Sequence, residues 1–217
     1  MTAIPDPEIK VIDLFCGIGG LTHGLELEGF DVVAGIDNDK TCKFGYEKNN
    51  NAEFILADIA NVSSEQINTL YGATQGIRIL VGCAPCQPFS KLNKKAVSEA
   101  ELEPLAKFAE LIADTLPDIV SMENVSGLAN KKKYPIFQGF IETLEENGYH
   151  YWYDVVNLSN YGVPQTRRRL VLLASRIGDI KLIPETHTHN KRSVKEAIGH
   201  LPPLKHGEVS ETDPLHR

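Results

Sequence analysis

Four short segments carry side chains able to do chemistry, and each lies beside an apolar run. They are Asp13-Leu14-Phe15-Cys16-Gly17-Ile18-Gly19-Gly20, Gly82-Cys83-Ala84-Pro85-Cys86-Gln87-Pro88-Phe89-Ser90, Glu123-Asn124-Val125 and Gln165-Thr166-Arg167-Arg168-Arg169. The second is the most telling. Cys86, between Pro85 and Gln87-Pro88, is kept out of regular structure by the prolines. Its thiol therefore rides on a stiff loop that a ligand can reach, and it reads as a nucleophile. Cys83, Cys16 and Cys42 read instead as small packed residues, because a free cysteine is usually buried. Cys83 and Cys86 also have the CxxC spacing of a redox couple or of half a zinc site. No second CxxC is present and a thioredoxin-like pair would open a helix, so no metal is expected, and His187 and His189 read as loop residues.

Glu123 follows an apolar run and opens the turn that includes Asn124. It reads either as a cap or as a carboxyl on the same sheet edge as Cys86. A thiol and a carboxyl on adjacent strand ends point to one active site. Arg167 and Arg169 alternate along extended chain and so face one way, where guanidinium forks suit a carboxylate, a phosphate or a base carbonyl. Gly17, Gly19 and Gly20 supply either a plain tight turn or the close backbone approach that a nucleotide-like ligand needs at a helix N-terminus. Asp37 ends the next strand 20 residues after Gly17, where a carboxylate can accept from both ribose hydroxyls. Asp58 suits either an adenine amino group or a helix cap.

The elements that must position these groups alternate. Strand-like runs at 10–15, 31–36, 53–56, 77–81 and 119–122 are interleaved with helical ones at 21–28, 40–48, 64–70 and 101–116. That order predicts an α/β fold with a mostly parallel sheet and ligands at the carboxyl ends of its strands. A helix at 135–146 leads to strands at 149–158 and 170–174, the last expected antiparallel, which brings the start of that strand and its arginines to the same edge.

With 217 residues and 42% apolar content, the chain suffices for one well-buried domain and a small appendage. A net charge of -7 argues against a surface that binds nucleic acid everywhere. Basic clusters at Lys91/Lys94/Lys95, Lys131-Lys132-Lys133, Arg167-Arg168-Arg169 and Lys191/Arg192/Lys195 each follow a strand or motif, and the fold can gather them. The N-terminus lacks a signal-peptide pattern, and no stretch approaches the roughly 20 apolar residues of a membrane span. Four cysteines suit a reducing compartment, so a soluble cytoplasmic protein with no membrane association is expected.

Through DLFCGIGG, PCQPFS, ENV and QTRRR, in that order and spacing, the chain resembles the cytosine carbon-5 DNA methyltransferases over about residues 10–175. The resemblance implies a Rossmann-like S-adenosylmethionine-dependent methyltransferase fold. It implies an S-adenosylmethionine site at Phe15, Gly17, Gly19, Leu21, Asp37, Asn38, Asp58 and Ile59, with S-adenosylhomocysteine as product. Relatives commonly carry Glu where Asp37 stands, so this carboxylate must gain a methylene's reach from the backbone. Cys86 becomes the nucleophile, Glu123 the partner of the cytosine, and Arg167 and Arg169 the arginines of the QxRxR motif. Pro85, Gln87, Ser90 and Asn124 are the implied substrate contacts, and double-stranded DNA is the implied partner. The chemistry accounts for these residue types. A thiolate added to carbon 6 makes carbon 5 nucleophilic, a protonated Glu123 on ring nitrogen 3 stabilises the charge that develops, and loss of the carbon 5 proton and of the thiol frees the enzyme. The base must be flipped out of the duplex, which phosphate contacts from Ser90, Lys91, Lys94 and Lys95 would offset.

Family members usually continue past the QxRxR strand into a target-recognition region, a GN-containing motif and a C-terminal helix. The expected organisation is a catalytic domain at 1–184 and a tail at 185–217 leading towards that region. The chain is thus expected to be truncated or one part of a split enzyme with a complementary chain as partner, from a bacterial or phage restriction-modification setting. Two other readings stand beside it: an S-adenosylmethionine-binding scaffold or regulatory subunit without turnover alone, and a related RNA cytosine methyltransferase.

Overall fold

Among the described residues seven strands, β1 (Ile9–Leu14), β2 (Asp31–Asp37), β3 (Glu53–Leu56), β4 (Ile77–Gly82), β5 (Ile119–Val125), β6 (His150–Asn157) and β7 (Arg168–Ser175), form one sheet in the order β3-β2-β1-β4-β5-β7-β6. The computed structural model describes residues 8–85, 99–130 and 132–210. β1 pairs in parallel with β2 and β4, β2 with β3 and β4 with β5, while β7 runs antiparallel to β5. Strand order reverses between β1 and β4, so the crevice for a ligand opens outside Leu14 and Gly82, which are register partners. Among the described residues no helix is long and apolar enough to cross a membrane.

The helices are α1 (Gly20–Leu27), α2 (Cys42–Asn49), α3 (Ser64–Tyr71), α4 (Glu99–Thr115), α5 (Pro135–Glu146) and α6 (Val194–Ile198). Local chemistry sets their ends. Ser63 and Gln66 form a capping box on α3, and Pro135 occupies the first turn of α5, where its missing N–H costs nothing. At the far end of the chain, a capping box between Ser193 and Glu196 opens α6, and Gly199 caps it after Ile198.

Alternation along β1 sends Ile12 and Leu14 to the larger core, built with Phe108, Leu111 and Phe140, and sends Val11 to the smaller core with Val32, Tyr46 and Phe54. Asp13 shares the face of Val11 and is 1% exposed, with its carboxylate accepting from Thr22 Oγ1 at 2.8 Å. Burial pushes this carboxyl up to about 7, opposed by the Thr22 bond and reinforced by the Asp37 charge. Its other titratable neighbours, the Cys16 and Cys83 thiols and the Tyr46 phenol, are all shifted upward and stay neutral in this range. The folded protein thus keeps a proton that the unfolded chain releases from its ordinary 3.8 upward. Stability contributed by this proton is present at low pH and is lost as pH rises towards about 7. Asp13→Asn removes that slope, so the melting temperature of the variant minus that of the parent increases between acidic and neutral pH in a calorimetric series.

The contacts group the described chain into two units, one within Met1–Val156 and Arg169–Leu182, the other within Asn157–Arg168 and Ile183–Arg217. The first holds the sheet and α1 to α5. In the second, the backbone N–H of His187 donates to the Asn160 carbonyl at 2.7 Å, and Asn160 Nδ2 donates to Glu185 Oε1 at 2.6 Å. The His187 ring lies where a side chain at Gly162 would stand, and Nδ1 of His187 bonds to Thr186 Oγ1 at 2.8 Å.

Candidate active site

After Leu14 the chain turns sharply. Phe15 has φ 59, a left-handed conformation that costs a bulky residue about 1–3 kcal/mol. Packing of its ring edge-on against Phe108, centroids 6.5 Å apart, holds it there. Gly17 follows at φ 53 with nothing within 4 Å of where a Cβ would stand, so its surroundings are open to a ligand. The Gly17 N–H donates to Asp37 Oδ2 at 2.9 Å, and the Asp39 N–H donates to Asp37 Oδ1 at 2.9 Å. Asp37 thus ties the end of β2 to the glycine turn, and each oxygen retains a lone pair for a further donor.

Phe15, Asp37, Asn38, Asp58, Ile59, Pro85 and Pro104 line one cavity of about 160 Å³. Apolar walls with carboxylates at the rim suit a nucleoside: Asp37 for a ribose, Phe15 and Ile59 for the faces of a purine, Asp58 for its amino group. Asp58 also accepts from Ala60 N at 3.0 Å, capping a 3-10 turn at Ile59–Asn61, which is the cap expected of it. Gly19 and Leu21 have packing duties. A Cβ on Gly19 would come within 2.8 Å of the Tyr46 ring, and Leu21 packs on the smaller core. The structure puts Pro85, expected beside a substrate base, in the wall of this cavity. Pro104 was not anticipated; its signal was a proline inside an otherwise regular helix, where the ring costs a backbone bond. For Asp37→Ala, affinity for S-adenosylhomocysteine measured by calorimetry is expected to fall about 10- to 100-fold, as charged hydrogen bonds of about 1.5–3 kcal/mol are lost. Unchanged affinity would remove Asp37 from the ribose.

The second group of residues stands on β4, β5 and β7. β5 extends through Val125, so Glu123 and Asn124 lie within the strand and not in a turn after it; antiparallel pairing with Val171 and Leu170 of β7 prolongs the ladder. The same pairing brings Arg169 back beside Glu123, with Arg169 Nε 2.7 Å from Glu123 Oε1. Their side chains are 18% and 37% exposed, so the pair is half-sheltered yet accessible. Asn124, expected to contact substrate, is buried. Its Nδ2 donates to the Ala84 carbonyl at 3.2 Å and its Oδ1 accepts from Val125 N at 2.9 Å. It therefore fastens the loop leading to Cys86 onto β5.

Continuing the register of Gly82 with Met122 sets Cys83 beside Glu123, and Cys83 N donates to the Leu14 carbonyl at 3.3 Å. Burial, and then the Glu123 carboxylate, push the Cys83 thiol up to about 12. It is a half-buried residue just past the strand end, less packed than expected, and a poor nucleophile at neutral pH. Cys16 is buried as expected, but Cys42 is only half-buried, because it opens α2 at its solvent-facing first turn.

Cys86, Gln87, Ser90, Lys91, Lys94, Lys95 and Lys131 lie outside the described residues. Arg167 precedes β7 in the second unit; it is exposed, and its carbonyl accepts from Leu158 N at 2.9 Å. Lys133 sits over the Tyr134 ring, 5.0 Å from its centroid.

Comparison with known proteins bears on the fold and the family. The family model for C-5 cytosine-specific DNA methylase matches residues 9–213. The Type II methylase M.HgiDII of Herpetosiphon aurantiacus is 49% identical over 207 residues, covering 95% of this chain and 58% of the relative. The Type II methyltransferase M.XorII of Xanthomonas oryzae pv. oryzae is 33% identical over 198 residues, 88% of this chain and 46% of the relative. The chain thus spans about half the length of these curated relatives. Among solved structures, a prophage-encoded E. coli chain assigned as a DNA modification methyltransferase superposes with TM-score 0.76 at 24% identity, covering 90% of this chain and 56% of that one. A Spodoptera frugiperda DNMT2 variant superposes with TM-score 0.65 at 23% identity, covering 82% and 53%. These two likenesses establish the fold, and the family match together with the 49% identical relative establishes more: the chain belongs to the C-5 cytosine-specific DNA methylase family.

Proposed function

We propose that the protein works as a DNA (cytosine-5-)-methyltransferase that uses S-adenosylmethionine and a covalent cysteine adduct on a flipped cytosine in double-stranded DNA. The observation that carries this reading is the Arg169–Glu123 contact of 2.7 Å at the carboxyl end of β5, on the strand whose Asn124 fastens the loop running into Cys86. Phe15, Asp37, Asn38, Asp58 and Ile59 hold the cofactor in the cavity they line, and Gly17, Gly19 and Leu21 act on it through the turn that carries Phe15 and bonds Asp37. When bound, S-adenosylmethionine supplies an electrophilic sulfonium methyl group for carbon 5. The Cys86 thiolate adds to carbon 6, pushing electron density towards carbon 5. Glu123 in its protonated form donates to ring nitrogen 3, and Arg169 fixes the orientation of that carboxyl. Arg167, Gln87 and Ser90 complete the grip on the extruded nucleotide, and the loop lysines meet its phosphates, which offsets the few kcal/mol that base flipping costs.

Relatives named as type II methylases support a role in restriction-modification, carried out in the cytoplasm. Residues 1–184 form the catalytic domain in this reading, and residues 185–217 lead towards recognition elements that a complementary segment provides. The test uses methyl-labelled cofactor with duplex DNA, the protein being assayed alone and mixed with the part of the Herpetosiphon relative outside the match. Label on carbon 5 of cytosine is expected in at least the mixture. Label confined to adenine or to RNA, or none in either arm, would overturn the proposal.

A further inference from the structure

A buried polar chain runs beneath the glycine turn. Thr22 Oγ1 donates to Asp13 Oδ2 at 2.8 Å and lies 3.1 Å from the Tyr46 hydroxyl. With the threonine proton committed to the carboxylate, the phenol is the donor in the second bond, which gives the chain one direction, from Tyr46 through Thr22 to Asp13. Asp13, Thr22 and Tyr46 are 1%, 0% and 0% exposed. Tyr46 packs in the smaller core with Val11, Val32, Phe54 and Val81, and among the described residues no cation contributes to the environment of the Asp13 carboxyl. Burying three polar groups in such a place disfavours folding relative to apolar packing, so a positional role is the reason to look for.

Tyr46 supplies that role through what it touches. A Cβ on Gly35 would fall 2.4 Å from the Tyr46 hydroxyl oxygen, and a Cβ on Gly19 would fall 2.8 Å from its ring. The ring is thus seated against both β2 and the glycine turn, and only glycine at each contact admits it. Two residues beyond Gly35, Asp37 returns to the turn through its bond from Gly17 N. The links close a circuit: Asp13 to Thr22 to Tyr46, across to Gly35, along β2 to Asp37, and back to Gly17 two residues after Phe15. Asp37 and Phe15, at the two ends of this circuit, both line the cavity described above.

We propose that Asp13, Thr22 and Tyr46 form a hydrogen-bonded relay that fixes the glycine turn against β2, making Thr22 and Tyr46 positioning residues for S-adenosylmethionine; the relay rests on the methyltransferase reading above. Neither side chain lines the cavity, so each acts through the turn.

The test is calorimetric titration of S-adenosylhomocysteine into the protein and its variants. Thr22→Val keeps the shape and deletes the hydroxyl, taking the acceptor from the Tyr46 phenol and leaving Asp13 only its bond from the Thr22 backbone N–H; affinity is expected to fall about tenfold, the equivalent of one buried hydrogen bond. Thr22→Ser restores the hydroxyl and is expected to bind within about twofold of the parent. Should Thr22→Val fail to fold, Tyr46→Phe keeps the ring and breaks one link, and the same loss is expected of it. Parent-like affinity in the folded variant that lacks a hydroxyl would overturn the relay, as would an equal loss in Thr22→Ser. If the parent binds no S-adenosylhomocysteine either alone or mixed with the part of the Herpetosiphon relative outside the match, the methyltransferase reading falls and takes the relay with it.

Discussion

Cys86→Ser is expected to lose at least about 10⁴-fold in methyl transfer, the scale seen when a covalent nucleophile is removed, while S-adenosylhomocysteine still binds. The hydroxyl is not ionised near neutrality, so no comparable nucleophile reaches carbon 6. Cys83 cannot stand in for it. Its thiol is pushed up to about 12 by burial and by Glu123, so it stays protonated near neutrality. Single-turnover transfer from labelled cofactor measures the rate, and calorimetry in parallel shows that the cofactor site survives. A Cys86→Ser variant retaining a tenth of the parent rate would rule out the covalent route.

The next largest effect belongs to the pair on β5 and β7. Glu123→Gln keeps the length of the side chain and its place beside Arg169, but an amide cannot deliver the proton that the developing charge on ring nitrogen 3 requires. The rate is expected to fall about 10²–10⁴-fold, as for a lost general acid. Arg169→Ala acts on the same group by freeing the carboxyl that Nε now holds at 2.7 Å. The two losses should therefore not add: the double variant is expected to be little slower than Glu123→Gln alone. Single-turnover kinetics of the four proteins measure the coupling, and strictly multiplicative losses would show that Arg169 acts independently of Glu123.

Much of this arrangement was legible in the chain before any coordinates. Strand-helix alternation pointed to the mostly parallel sheet and to the carboxyl ends of its strands as the ligand edge, whereas the reversal of order between β1 and β4 is visible only in the coordinates. The antiparallel β7 was expected too, and with it the return of Arg169 to Glu123. Less legible was whatever depended on partners distant in sequence. β5 was read as ending at Met122 because Glu123 and Asn124 are polar, whereas pairing with β7 carries the strand to Val125. Asn124 looked like a substrate contact, and only the coordinates show its amide spent on Ala84. Asp13 read as part of a motif, and nothing local revealed that Thr22 and Tyr46 would surround it, since tertiary packing alone joins α1 and α2 over β1.

The central claim is that the Cys86 sulfur bonds to carbon 6 of cytosine while Glu123 and the methyl donor act on the same ring. Duplex DNA bearing 5-fluorocytosine tests it most directly, because fluorine on carbon 5 cannot leave as the proton does and the adduct stays in place. With cofactor and the complementary segment present, the parent protein is predicted to form a complex that survives denaturation, with the peptide containing Cys86 carrying the modified base and none forming with Cys86→Ala. No stable complex with the parent protein, or an undiminished one with Cys86→Ala, would contradict it.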